Sequence, residues 1–91
     1  MARTLLCPAG QWTVLFDHAF VQLPRTWMVV FTAPEGTPVS GEVIEKRSAW
    51  IFSQPQTHAM LTEQMAFTRG WWNTFYSVRV KPTVDVTAQI R

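Results

Sequence analysis

Apolar and polar residues alternate along most of this chain, and a period of two is typical of β-strands. The alternation is cleanest over residues 83–90, where every second side chain is apolar and its neighbours are polar. Such a pattern indicates half-buried strands that turn one face toward a core and the other toward water. The predicted strands lie near residues 11–17, 27–32, 39–47, 49–53, 71–81 and 83–90.

Proline and glycine separate these segments. Pro24, Pro34 and Pro55 each interrupt the apolar pattern, and Gly36 is a residue that accepts a positive φ without steric cost. Five to seven short strands bounded by such turns predict an all-β fold, either a small antiparallel sandwich or a barrel. The last two strands follow each other closely, so we expect them to pair as a hairpin across Lys81-Pro82.

The segment 56–68 fits two structures. Thr57 is a suitable helix cap, and the residues that follow it are good helix formers, which favours one short helix near 57–66. The apolar residues from Ala59 to Phe67 also alternate in a way that suits a strand. We take the short helix as the prediction and the strand as the alternative.

The length of 91 residues corresponds to one domain. Residues 1–10 contain apolar residues but no regular alternation, so they are predicted to be an N-terminal arm laid on a neighbouring subunit. Residues 11–91 then form a single β domain. An apolar content of 47% with only 15% charged residues excludes general disorder.

Charge and cysteine content indicate which partners and which cellular compartment suit this chain. Eight basic and six acidic residues give a net charge of +2, which permits contact with anions but does not require it. Cys7 is the only cysteine, so the fold has no internal disulfide and suits a reducing compartment. The N-terminus lacks the apolar segment of a secretion signal, and no stretch is long enough to span a membrane. We therefore expect a protein made in the cytoplasm.

Residues for catalysis or metal binding are sparse and scattered. Cys7, His18 and His58 are far apart in the sequence, and Asp17 and His18 are strand neighbours that point to opposite faces. The glycines are isolated and form no loop that would cradle a phosphate. We expect no enzymatic activity, no metal and no cofactor.

The chain has more large aromatic side chains than one small core can bury. The segment 71–81 carries Trp71 and Phe75 on one face and Trp72 and Tyr76 on the other. A two-layer domain covers only one face of each sheet, and aromatic residues are enriched where proteins meet. The predicted interface residues are Leu5, Leu6, Trp71 and Phe75. The predicted core residues are Trp72, Tyr76, Val78, Val84, Val86 and Ile90.

These features favour a structural subunit that binds other protein subunits, in a homo-oligomer or a larger heteromeric assembly. A small β module without disulfides suits a part used in many copies, such as a bacteriophage virion accessory protein. In the virion it would be a decoration protein, a head–tail joining protein or a tail component.

A single-stranded nucleic-acid-binding module of the OB-like type is the alternative. Such modules combine stacking aromatic residues with a basic groove. The face predicted for it consists of Lys46, Arg47, Trp50, Arg79 and Lys81. Its basic excess is weaker than the clustered patch expected of such domains, so binding of nucleic acid is the less favoured prediction.

Overall fold

Two antiparallel β-sheets make up the described part of the protein. The computed structural model describes residues 3–19, 24–49, 52–53, 56–70 and 75–91, and these include no helix. The strands are β1 (Arg3–Cys7), β2 (Thr13–Ala19), β3 (Arg25–Thr32), β4 (Gly41–Ala49), β5 (Phe52–Ser53), β6 (Thr57–Met60), β7 (Gln64–Arg69), β8 (Phe75–Pro82) and β9 (Val86–Ile90). The all-β prediction is confirmed, with more strands than the five to seven expected.

Each sheet has a simple strand order. The four-stranded sheet has the order β1-β9-β3-β7. The five-stranded sheet has the order β2-β8-β4-β5, and β6 also pairs with β4. Every pairing between these strands is antiparallel.

The core lies between the inner faces of the two sheets. Phe16 of the five-stranded sheet packs against Trp27 and Phe67 of the four-stranded sheet, with ring centres 4.7 and 6.0 Å apart. Alternation places every second residue of β8 and β9 in this layer. Of the predicted core residues, Tyr76, Val78, Val86 and Ile90 are buried and Val84 is partly buried against them. Trp72 lies outside the described residues.

The predicted hairpin across Lys81-Pro82 is wrong, because β8 and β9 belong to different sheets. β8 pairs with β2 and β4, whereas β9 pairs with β1 and β3. After Pro82 the backbone leaves the ladder, and the amide of Thr83 donates to the carbonyl of Ser40 at 2.9 Å. Alternation shows that each strand buries one face but carries no information about which strand lies beside it.

The predicted helix near 57–66 is also wrong. Residues 57–60 form β6 beside β4, and residues 64–69 form β7 beside β3. Between them Leu61 is buried, and its amide donates to the carbonyl of Gly41 at 3.0 Å. Partner strands supply the hydrogen bonds of this backbone, and burial of Leu61 and Phe67 outweighs the helix propensity of the segment.

Part of the arm predicted for residues 1–10 is a strand and not irregular. Residues 3–7 form β1 along the edge of the four-stranded sheet, in register with β9. Cys7 is buried and Leu5 packs partly against the core, so this segment has one inner face after all. The Arg3 guanidinium donates to the carbonyl of Leu15, which ties this edge to the other sheet.

A β-bulge in β2 decides which side chains reach the surface. The register shifts between Val14 and Phe16, so that Leu15 and Phe16 are both buried. Without a bulge, the alternation of a strand over residues 11–17 puts Trp12, Val14 and Phe16 on a common face. Because a bulge adds one residue to one strand, it reverses the faces that follow it. Trp12 and Val14 therefore point outward while Phe16 points inward.

Candidate interaction faces

The outer face of the five-stranded sheet carries exposed apolar side chains on several adjacent strands. We call it the Trp12 face. Trp12 is 41% exposed and Met60 is 80% exposed, and Val14 and Phe75 are also exposed. Trp12 precedes β2, and its contacts with Arg79 and Lys81 place it on this face. The register of β2, β8, β4 and β6 assigns to the same face Val14, Asp17, Glu42, Ile44, Lys46, Ser48, His58, Met60, Phe75, Ser77, Arg79 and Lys81.

Two cations lie against the Trp12 ring. The guanidinium carbon of Arg79 is 5.9 Å from the ring centre, and the ammonium nitrogen of Lys81 is 5.8 Å from it. The bulge brings this about, since it leaves Val14 opposite Arg79 and so puts Trp12 beside Lys81. Such cation–π contacts contribute about 0.5–1 kcal/mol at an exposed site. They hold the indole ring in place at the surface.

Charge on the Trp12 face is mixed. Lys46, Arg79 and Lys81 lie on the two central strands, while Asp17 and Glu42 place carboxylates among them. Lys81 stands directly opposite Glu42 in the register. The face is therefore only weakly cationic and is not a continuous basic groove.

A shallow pocket opens at the far end of the same face. Its volume is about 220 Å³. The residues around it are Asp17, Lys46, Ser48, Phe75, Tyr76 and Ser77. Phe75 pairs with Ser48 here, so this end offers the exposed Phe75 ring in largely polar surroundings.

The outer face of the four-stranded sheet is different in character, because its strands present only uncharged side chains there. We call it the neutral face. Leu6 is 67% exposed on it and Met28 is also exposed. The register assigns to this face Thr4, Leu6, Thr26, Met28, Val30, Thr32, Gln64, Ala66, Thr68, Thr87 and Gln89. Arg91 follows β9 and exchanges backbone hydrogen bonds with Met28, and it brings one positive charge to this face, with a guanidinium nitrogen 3.4 Å from the Gln89 side-chain oxygen.

The structure separates the residues predicted for the protein interface. Phe75 lies on the Trp12 face, whereas Leu6 lies on the neutral face of the other sheet. Leu5 points inward and packs partly against the core. Trp71 lies outside the described residues.

The residues predicted for the nucleic-acid face are partly brought together. Lys46, Arg79 and Lys81 share the Trp12 face, but Arg47 is on the inner side of β4 and Trp50 lies outside the described residues. Trp12, Val14 and Met60 were not predicted as surface residues. The bulge that exposes Trp12 and Val14 leaves no mark in the alternation, so this signal was not available from the sequence.

One end of the core is aromatic and polar. The Tyr76 hydroxyl donates to Glu45 Oε2 at 2.6 Å, and an Arg47 nitrogen lies 2.9 Å from Glu45 Oε1. Arg47 also donates to the carbonyl of Thr68 at 2.7 Å, which joins β4 to β7. The Tyr76 ring stacks on Trp27 with centres 5.9 Å apart. This network links the two sheets and explains why Arg47 is not part of the outer surface.

Two arginines approach the same Trp27 ring. The guanidinium carbons of Arg25 and Arg69 lie 5.2 and 5.4 Å from its centre. Arg69 is only 3% exposed. Burial lowers the pKa of Arg69, and the neighbouring charge of Arg25 lowers it further. Trp27 is thus both a core residue and a contact surface for cations.

Tyr76 and Cys7 are the buried acids of the core. Burial raises the pKa of Tyr76, and the hydrogen bond and charge of Glu45 raise it further, against a smaller opposite effect of Arg47. Burial also raises the pKa of the Cys7 thiol, against a smaller effect of the hydrogen bond to Thr13. The folded protein therefore keeps both protons to a higher pH than the unfolded chain does.

We expect the free energy of unfolding to fall as the pH rises above about 9. The native state binds more protons than the unfolded state there, so stability decreases with pH. Each of the two groups contributes up to about 1.4 kcal/mol per pH unit until its folded pKa is reached. Urea unfolding at pH 8, 9.5 and 11 measures the slope. Tyr76→Phe should reduce the slope above about pH 10, and an unchanged slope would contradict the role of Tyr76.

Among the described residues no group of three or more histidine, cysteine or acidic side chains could hold a metal ion. The described part of the chain also contains no helix long and apolar enough to cross a membrane. No protein-family model, no curated protein and no solved structure matches this chain.

Proposed function

We propose that this chain is a non-enzymatic subunit of a larger protein assembly and that the Trp12 face docks on another protein. The observation that carries this proposal is the exposed Trp12 ring with the cations of Arg79 and Lys81 both within 6 Å of its centre. Tryptophan and arginine are the residue types that dominate binding energy at interfaces. Methionine and phenylalanine, present here as Met60 and Phe75, are also enriched at interface cores.

The order of the Trp12 side chain before binding supports the proposal. A side chain that is already fixed when it binds loses less conformational entropy than a mobile one. The Trp12 ring has cations on it and lies on a paired sheet, so a partner can cover it at a small entropic cost. The two positive groups beside it suit acidic or carbonyl groups on the partner's rim.

The setting we propose is that of a small module present in many copies, with a bacteriophage virion as the specific case. A decoration protein, a head–tail joining protein or a tail component would each need a compact domain with an outward docking face. The support for this is the combination of small size, an all-β core and a surface rich in aromatic and apolar residues.

Trp12→Ala is expected to reduce incorporation into the native assembly by about 30-fold or more. Loss of an interface anchor costs about 2 kcal/mol or more, which corresponds to that factor. The measurement is quantitative mass spectrometry of the chain that co-purifies with the assembly from its native source. Met28→Ala, which removes an exposed apolar side chain from the other sheet, is the matched control. Incorporation of Trp12→Ala at the wild-type level would contradict the proposal.

Binding of single-stranded nucleic acid is the second candidate. The specific observation in its favour is the same group of Trp12, Arg79 and Lys81, with Lys46 one strand away. An exposed aromatic ring with cations nearby suits a stacked base beside phosphates. Asp17 and Glu42 on the same face weaken its attraction for a polyanion, so a protein partner is favoured.

The nucleic-acid candidate has a direct test in tryptophan fluorescence. An oligothymidylate should bind at low salt, and its affinity should fall steeply as salt is raised. Trp12→Ala should then cost about 1–3 kcal/mol of binding free energy. Absence of binding to the wild-type chain at low salt would end this candidate.

A further inference from the structure

Strand β6 leaves one backbone edge of the five-stranded sheet open. Among the described strands it pairs with β4 alone, and all four of its residues are exposed. We propose that an extended segment of a partner protein pairs with this edge and adds a strand to the sheet. The strand addition rests on the proposed function in one respect, since it requires that the chain docks on another protein.

The register shows which backbone groups of β6 point away from β4. The Leu61 amide donates to the Gly41 carbonyl at 3.0 Å, and this bond continues the antiparallel register of the two strands. Hydrogen-bonded and non-hydrogen-bonded pairs alternate along such a ladder. His58 and Met60 therefore occupy non-hydrogen-bonded positions, and the N–H and C=O groups of both residues point outward along the open edge.

Two other strand edges in the described part of the fold are protected. At β7 the outward carbonyl of Gln64 accepts from the Thr62 hydroxyl. The outward carbonyl of Thr68 accepts from Arg47. At β2 the bulge interrupts the edge, and such devices keep an edge from pairing with another chain. No described side chain bonds to the outward groups of β6, so this edge stays available as a template for a further strand.

The groups on this edge identify an extended chain as the occupant. Donors and acceptors that repeat at every second residue match the backbone of another strand, and main-chain hydrogen bonds then supply the affinity. One side chain of the added strand would lie beside the exposed Met60 side chain. An apolar residue at that position would form a stabilising cross-strand pair with Met60.

Geometry favours a different protein over a second copy. Two copies paired through β6 would lie side by side in one continuous sheet, so both Trp12 faces would stay uncovered. An edge of four residues is only about 13 Å long and buries far less than the roughly 800 Å² per partner of a stable interface. A partner that pairs with β6 can continue over the Trp12 face. Met60, Glu42 and Lys81 form one row across the sheet, and this row leads from the edge to the Trp12 ring.

Proline at position 58 tests the role of the backbone. His58→Pro removes an N–H that points away from β4, and proline is accepted at such positions of edge strands. The variant should be as stable as the wild type in urea unfolding. Its incorporation into the native assembly, measured by quantitative mass spectrometry, should fall about tenfold or more, because a hydrogen bond is lost and the ring blocks the approaching strand. His58→Ala removes the side chain but keeps the N–H, so it should lose much less.

Thr4→Pro is the matched control. Thr4 also points its N–H outward, from the edge strand β1 of the other sheet, and incorporation of this variant should stay at the wild-type level. Wild-type incorporation of His58→Pro, or equal losses for His58→Pro and His58→Ala, would overturn the strand addition. Loss of Trp12→Ala with retention of His58→Pro would support docking through the Trp12 face while overturning the strand addition. The opposite pattern would support the strand addition while overturning docking through Trp12.

Hydrogen exchange of the wild-type chain is a second measurement that does not depend on how a variant folds. In the free chain the outward amides of His58 and Met60 should exchange quickly, whereas those of Ala59 and Leu61 are bonded to β4 and should exchange slowly. In the native assembly the amides of His58 and Met60 should become slow as well. Fast exchange of both amides in the assembly would overturn the strand addition.

Discussion

Gly41→Ala is expected to destabilise the fold by roughly 2–5 kcal/mol. Gly41 has a φ of +149°, a conformation that residues with a side chain rarely adopt. An added Cβ would also lie 2.6 Å from the Cα of Pro82 and under 3.0 Å from the carbonyl oxygen of Lys81. Both obstacles are backbone, so the pairing of β4 with β8 would have to shift. Urea unfolding of the variant and the wild type measures the effect.

Gly36→Ala is the control for this prediction. Gly36 also has a positive φ, +80°, but nothing lies within 4 Å of the position of its added Cβ. Its substitution should therefore cost only the conformational strain, about 1–2 kcal/mol. Equal losses for the two variants would contradict the close approach of β4 and β8 at Gly41.

Trp27→Ala is expected to lower the free energy of unfolding by about 3–5 kcal/mol. Trp27 is buried where the sheets meet, tilted against Phe16 and stacked on Tyr76. Its removal leaves a cavity between the sheets and takes away the ring that Arg25 and Arg69 approach. Thermal or urea unfolding followed by circular dichroism gives the loss directly.

Trp12→Ala is the control for Trp27→Ala, because it removes the same type of side chain from the surface instead of the core. Trp12 is on the outer surface, and its contacts with Arg79 and Lys81 contribute about 0.5–1 kcal/mol each. Its substitution should lower the free energy of unfolding by no more than about 2 kcal/mol. A loss as large as that of Trp27→Ala would mean that Trp12 is part of the core and not a docking residue.

The sequence predicts the strands of this fold better than their partners. Alternation correctly identified the buried faces of β8 and β9, including Tyr76, Val78, Val86 and Ile90. It could not show that these two strands lie in different sheets, because alternation depends on local burial and pairing depends on distant contacts. The same limit explains β1 and β6, whose strand conformation is stabilised by β9 and β4 rather than by their own propensities.

The candidate site was only partly predictable for a related reason. Phe75, Arg79 and Lys81 share one face of β8, as the alternation of a single strand indicated. Trp12 joins them only because the bulge in β2 shifts the register between Val14 and Phe16. A one-residue bulge reverses the faces without any requirement for a glycine or proline at that place. The exposure of Trp12 beside Arg79 and Lys81 could therefore be seen only in the structure.

Hydroxyl-radical footprinting of the chain, free and in its native assembly, tests the central claim most directly. Trp12, Met60 and Phe75 are exposed in the free chain and are reactive toward the radical, while buried Trp27 provides an internal reference. We expect Trp12 and Met60 to be oxidised strongly in the free chain and to be protected in the assembly. Equal oxidation of Trp12 in the free chain and in the assembly would contradict docking through the Trp12 face.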